Sequence, residues 1–213
     1  MDNRCWTKNI QWLFFDIGST LIDEEAAYDH RIRDMIAGTT LVFEEVHNKR
    51  LEFAQDGLDG NSEIISYYGL MKTPWHTEDE RLYPTVNSVL EYLRNRGYKL
   101  GIIANQAPGL ADRLRYWGIA DYFIIIASSS EMGVSKPNPM IFEKALSMAQ
   151  CEPCNAVMIG DRLDNDIVPA KQFGMQTVWV RTGLASCQPK EYGAEFADMT
   201  IDSINELTDV FTE

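Results

Sequence analysis

The sequence predicts an α/β fold: a doubly wound, Rossmann-like parallel sheet carrying a small all-helical cap domain. Two observations lead there. Short, continuously apolar segments alternate with amphipathic stretches along most of the chain. One block, 23–83, breaks that rhythm and shows helical patterns alone.

The first strand is predicted at 11–15, and others follow at 99–104, 122–127, 156–159 and 177–180. Their side chains do not alternate between polar and apolar, which is the mark of parallel strands buried on both faces. Between them, 85–96 places Val86, Val89, Leu90 and Leu93 on one helical face and stops at Gly97. Segment 138–149 opens with Asn138 as cap and Pro139 in the first turn, and buries Ile141, Phe142, Ala145 and Leu146. A third helix, 164–173, ends at Gly174. Strand–helix alternation of this kind predicts right-handed crossovers over one sheet. The interrupting block holds helical stretches at 24–37, 41–55 and 62–70, with no strand expected between Asp23 and Pro84. The predicted organisation is a core of 1–22 and 84–213 with a cap of 23–83 docked over the sheet's carboxyl edge.

With 213 residues, of which 45% are hydrophobic, the chain can bury a full core, yet no apolar run approaches a membrane span. Residues Met1 to Trp6 lack the apolar heart of a signal peptide. A cytoplasmic protein is expected. Nineteen basic against 32 acidic residues give a net charge of −13. Nucleic acid and anionic membranes are excluded as partners, because they are held by clustered Lys and Arg. A small phosphorylated molecule is not, since a metal and one lysine can meet its charge. There is no signal for a protein partner or an oligomeric state. Cys151 and Cys154 have C-x-x-C spacing, but no second Cys or His pair completes a zinc site, so they read as reduced thiols in a loop.

Ligands of such sheets bind beyond the carboxyl ends of the strands, where strand order reverses. Asp16, Asn105 and Asp161 each stand at or just past a predicted strand end. Lys136 lies in Ser135-Lys136-Pro137, and Asp166 closes the run that begins at Gly160-Asp161. A carboxylate at Asp16 could attack phosphorus. Asp161 and Asp166 supply the hard oxygen ligands that Mg²⁺ prefers, and Lys136 would neutralise transition-state charge. The small residues Gly18 and Ser19 allow backbone N–H groups to approach phosphoryl oxygens. Asp164 reads as a solvated residue at a helix start.

These residues, in this order, resemble the motifs of the haloacid dehalogenase-like hydrolase superfamily. Asp16, Gly18, Thr20 and Leu21 occupy its first motif, Ala104-Asn105 the second, Lys136 the third, and Asp161 with Asp166 the fourth. The resemblance implies a Mg²⁺-dependent phosphatase of a small phosphorylated metabolite, acting through an aspartyl-phosphate. It assigns Asp16 as nucleophile and Lys136 as charge stabiliser. Metal ligands would come from Asp16, the Gly18 carbonyl, Asp161 and Asp166. Gly18, Ser19 and Asn105 would position the phosphoryl group, or in the case of Asn105 the loop.

Two positions depart from the pattern. Gly18 stands where the family's phosphatases carry a second aspartate, the general acid–base, and Ala104 lacks a hydroxyl expected to bond the phosphoryl group. Loss of the acid–base costs about 10²–10⁴-fold, so a slow enzyme or one favouring good leaving groups is expected. Another acid could substitute: Asp23, Glu24 and Glu25 follow the loop, and His30, His47 and His76 lie in the cap. The alternatives are a catalytically silent binder of a phospho-ligand or protein, or a haloacid dehalogenase or phosphonatase-type hydrolase. A phosphonatase would need a cap lysine, for which Lys49 and Lys72 are the candidates.

Overall fold

The structure, a computed structural model, describes residues 5–212; Met1 to Arg4, part of the stretch read above for a signal peptide, lie outside the described residues. The strands are β1 (Trp12–Phe15), β2 (Ile22–Asp23), β3 (Arg81–Leu82), β4 (Lys99–Ala104), β5 (Phe123–Ser128), β6 (Ala156–Gly160), β7 (Gln176–Val180) and β8 (Met199–Ile201). The α-helices are α1 (Glu25–Ile36), α2 (Phe43–Gln55), α3 (Gly60–Tyr68), α4 (Val86–Asn95), α5 (Leu110–Tyr116), α6 (Ser129–Met132), α7 (Pro139–Ala149), α8 (Val168–Phe173) and α9 (Leu207–Val210).

Six strands form one parallel sheet in the order β5-β4-β1-β6-β7-β8. Strand order reverses at β1, which pairs with β4 on one side and β6 on the other. That places the ligand crevice at the carboxyl ends of β4, β1 and β6. The all-apolar β1 is buried along its length, with Leu13 and Phe15 facing one layer and Trp12 and Phe14 the other. On the first face they meet Val89, Leu90 and Leu93 of α4, Leu110 and Leu114 of α5, and Leu207 of α9. On the second they meet Ile141, Phe142 and Ala145 of α7 and Ala170 of α8. Doubly covered strands need apolar side chains at every position, which is why the core strands read as unbroken runs. β5 is the exception: it is an edge strand, and its Ile124 is exposed.

α7 begins as the sequence predicts, with the Asn138 side chain accepting a hydrogen bond from the Met140 N–H and Pro139 in the first turn. The predicted helix 164–173 differs. Leu163–Ile167 winds as a π-helical turn, and only Val168–Phe173 is α-helical.

The inserted helices α1, α2 and α3 gather around a cluster of their own, built on Ile32, Met35, Val46 and Ile64. The expectation of no strand between Asp23 and Pro84 is corrected here. Arg81–Leu82 pairs antiparallel with Ile22–Asp23, so the two chain crossings are tied together as a short ribbon. Two residues per strand are too few to show any periodicity, which is why the ribbon escaped the sequence. Among the described residues no helix is long and apolar enough to cross a membrane. Cys151 and Cys154 are free thiols.

Candidate active site

Asp16 leaves β1 with its N–H donated to the Ile159 carbonyl of β6, 2.9 Å. The chain then turns tightly: Thr20, Leu21 and Ile22 all direct their N–H groups at the Ile17 carbonyl. Ser19 takes a left-handed backbone, φ 52°, and its carbonyl accepts a hydrogen bond from the Thr182 hydroxyl. The loop that follows Asp16 is therefore pinned from both sides.

Lys136 is buried, and its ammonium donates to Asp16 Oδ1 at 2.6 Å and to Asp166 Oδ1 at 2.5 Å. Burial works against that charge, but the two carboxylates outweigh it and hold the ammonium above the usual lysine range. Asn105 fixes the lysine's backbone. Its side-chain NH₂ donates to the Lys136 carbonyl (2.9 Å) and its oxygen accepts the Lys136 N–H (2.8 Å). Both polar atoms of that amide thereby engage the Lys136 backbone.

Asp161 and Asp166 come from the end of β6 and the π-helical turn. Gly160 has a steric reason to be glycine: a Cβ there would lie 2.5 Å from the Asp166 carboxyl carbon. The Asp166 carboxylate is held in place by Lys136 and by the Arg162 N–H, 3.0 Å from its other oxygen. Burial raises Asp166 above the carboxylate range, and Lys136 opposes the shift. Asp161 has weaker support. Thr20 donates to it at 3.4 Å, and among the described residues no cationic side chain pairs with its carboxylate. Burial, then Asp16, Asp166 and Glu24, push Asp161 well above its ordinary value.

Asp16, Asp161 and Asp166 each offer an oxygen within 4.8 Å of the others. Three converging carboxylates, one of them with no ion-pair partner among the described residues, form a donor set that fits a hard divalent cation such as Mg²⁺.

The six candidate substitutes for the missing second aspartate separate cleanly. Asp23 accepts the Glu25 N–H at the start of α1 (3.0 Å). Glu25 pairs with both terminal nitrogens of the fully buried Arg50, at 2.9 and 3.2 Å. His30, His47 and His76 are taken up by Asp79, Asp29 and Asp34. Glu24 alone turns toward Gly18. Burial, then the charges of Asp16 and Glu80, push its carboxyl up to about 8.

A cavity of about 650 Å³ opens between the inserted helices and the sheet edge, and Asp16, Glu24, Arg50, Lys136, Asp161 and Arg162 are among its lining residues. Its two arginines are already paired, Arg50 with Glu25, and Arg162 with Asp59 and Asp164. Asp164 thus lies at the rim, bonded to Arg162. The Arg162–Asp59 pair, 3.0 Å, also ties the sheet to the insertion.

The pattern of the haloacid dehalogenase-like hydrolase family matches residues 13–180. The chain belongs to that family. Haloacid dehalogenase-like relatives include glyceraldehyde 3-phosphate phosphatase of Pyrococcus furiosus, 30% identical over 95% of this chain and 93% of its own. Phosphoglycolate phosphatase of Vibrio vulnificus is 32% identical over 61% of this chain and 56% of its own. Among solved structures, a phosphatase of the family from Thermococcus onnurineus superposes with a TM-score of 0.64 at 27% identity, covering 94% of this chain and 97% of that one. Sequence reasoning had not singled out Arg50, Arg162 or the pair of half-buried Arg113 with buried Glu80 near Glu24, whose chain positions carry no motif.

Proposed function

We propose that the protein is a Mg²⁺-dependent phosphomonoesterase with Asp16 as nucleophile. The observation that carries this reading is the Lys136 ammonium bridging Asp16 and Asp166 beside the buried Asp161, in the cavity between the inserted helices and the sheet edge. An Asp16 oxygen attacks phosphorus, the bond to the leaving oxygen breaks, and water then hydrolyses the aspartyl-phosphate. Lys136 neutralises charge on the transferring group. The backbone around Gly18 and Ser19 offers N–H groups to the phosphoryl oxygens. Asp16, Asp161, Asp166 and the Gly18 carbonyl would hold Mg²⁺, which when bound stabilises charge developing in the transition state.

The 23–83 insertion acts as a cap that selects the substrate. With Arg50 and Arg162 paired to carboxylates, the cavity holds no spare cation among the described residues for a second anionic group on the substrate. That favours an alcohol leaving group without a carboxylate, as in the glyceraldehyde 3-phosphate named for relatives, over phosphoglycolate.

Phosphate release with and without Mg²⁺ tests this. Metal-dependent turnover of glyceraldehyde 3-phosphate is expected, with phosphoglycolate slower. Asp16→Asn is expected to keep the fold and lose turnover; an active Asp16→Asn overturns the assignment. No turnover by the wild type on either substrate, or on p-nitrophenyl phosphate, would leave a phospho-ligand binder in its place.

A further inference from the structure

Glycine at position 18 removes a side chain, yet the volume that side chain would fill is not empty. A Cβ built on Gly18 would lie 2.6 and 2.7 Å from the two carboxylate oxygens of Glu24 and 2.8 Å from its carboxyl carbon. Those distances are far inside van der Waals contact, so the Glu24 carboxyl occupies the space into which any residue at 18 would project.

The route by which it arrives is also informative. Glu24 stands at the N-cap of α1, where an acidic side chain ordinarily accepts helix N–H groups. It makes no such bond. Asp23 accepts the Glu25 N–H instead, which frees Glu24 to turn back over the loop. Ser19 Oγ, 3.5 Å away, is its side-chain hydrogen-bond donor, and its carboxyl lines the same cavity as Asp16, Lys136 and Asp161.

We infer that Glu24, delivered from the first helix of the insertion, is the general acid–base of the reaction and takes the place of the residue missing at Gly18. The inference rests on the phosphatase reading above. In the first step Asp16 attacks phosphorus, the bond from phosphorus to the leaving oxygen breaks, and the Glu24 carboxyl gives its proton to that oxygen. In the second, the Glu24 carboxylate takes a proton from water as the water oxygen bonds to phosphorus. The bond from phosphorus to Asp16 breaks, and free phosphate leaves with Asp16 and Glu24 restored. Protons and charge balance without any further reactant.

The position of Glu24 has a consequence for the cap. The acid enters the site with α1, so proton transfer is coupled to the seating of the insertion over the sheet, whereas an aspartate at position 18 would belong to the sheet loop alone.

Glu24→Gln is compared with the wild type on two probes, glyceraldehyde 3-phosphate and p-nitrophenyl phosphate. On the first, whose leaving oxygen needs a proton, a loss of about 10²–10⁴-fold in kcat is expected. On the second, whose leaving group departs without one, Glu24→Gln is expected to release a burst of nitrophenolate equal to the enzyme present, followed by slow turnover. A burst shows the first step intact and the second step stalled, which simple loss of structure would not produce. Restoring the residue at 18 gives the second arm: Gly18→Asp placed in Glu24→Ala is expected to recover roughly tenfold or more of the lost rate. Wild-type-like turnover by Glu24→Gln on glyceraldehyde 3-phosphate, or a Gly18→Asp/Glu24→Ala protein no faster than Glu24→Ala, overturns the inference while leaving Asp16 as nucleophile. An inactive wild type overturns both readings, and is told apart by its lack of activity on either probe.

Discussion

Asp161 is a buried carboxylate crowded by other acids. Its carboxylate is enclosed with those of Asp16, Asp166 and Glu24, and Lys136 is already engaged by two of these. A group whose charge is disfavoured in the folded state destabilises that state while ionised. Replacing it with a neutral side chain of the same shape should relieve the repulsion. Asp161→Asn is therefore expected to melt at a higher temperature than the wild type in metal-free buffer, yet gain little when Mg²⁺ is added. The wild type should show the reverse. Melting curves with and without Mg²⁺ check this, and an Asp161→Asn protein stabilised by Mg²⁺ as strongly as the wild type would remove Asp161 from the ligand set. At this scale much was legible in the chain. Asp16, Lys136, Asp161 and Asp166 were expected to meet, from strand-end position and motif, and the structure brings their carboxylates and ammonium together. Which of six acids faces Gly18 was not legible. That choice depends on where three consecutive side chains, Asp23 to Glu25, turn at the start of one helix, and sequence spacing carries no such information.

Among the elements, the insertion holds a second charged cluster, outside the lining of the cavity. The His30 and His76 rings stack at 3.5 Å, His76 bonds Asp34 (2.7 Å) and Glu78 (3.2 Å), and His30 bonds Asp79 (2.8 Å). Hydrogen bonds to Asp34 and then Glu78 raise His76 above its ordinary 6.5. A raised folded value means that the stabilisation is complete below the unfolded value and is lost as pH rises through the folded one. The urea midpoint is expected to fall between about pH 6 and pH 8, and more shallowly in His76→Gln. Equal pH slopes in the two proteins would show that this pair does not support the insertion. The predicted strands and most helices match because buried parallel strands and amphipathic helices leave strong apolar patterns. Met199–Ile201 was missed as a three-residue edge strand, and Leu110–Tyr116 because it follows Pro108-Gly109 and shows only Leu110 and Leu114 against charged neighbours. The π-helical turn at Leu163–Ile167 replaces the first turn of a predicted helix; there Asp166 must reach back against Gly160, a geometry a regular pattern does not announce.

Across the whole molecule, the fold does two things for the chemistry. The reversal of strand order at β1 leaves a crevice into which the ends of β1 and β6 and the loop after β4 deliver Asp16, Asp161 and the Asn105–Lys136 anchor. The insertion lines the cavity, brings Glu24 with it, and is fastened by the Arg162–Asp59 pair and the β2–β3 ribbon. The proposed reaction depends on Asp16 forming a bond to phosphorus. The most direct test is rapid quenching of the wild type during turnover of p-nitrophenyl phosphate with Mg²⁺, followed by peptide mass mapping. One phosphoryl group on the peptide that carries Asp16, absent from Asp16→Asn, is the predicted result. Phosphate release at full rate with no phosphorylated Asp16 peptide at any quench time, and with Asp16→Asn still active, would contradict it.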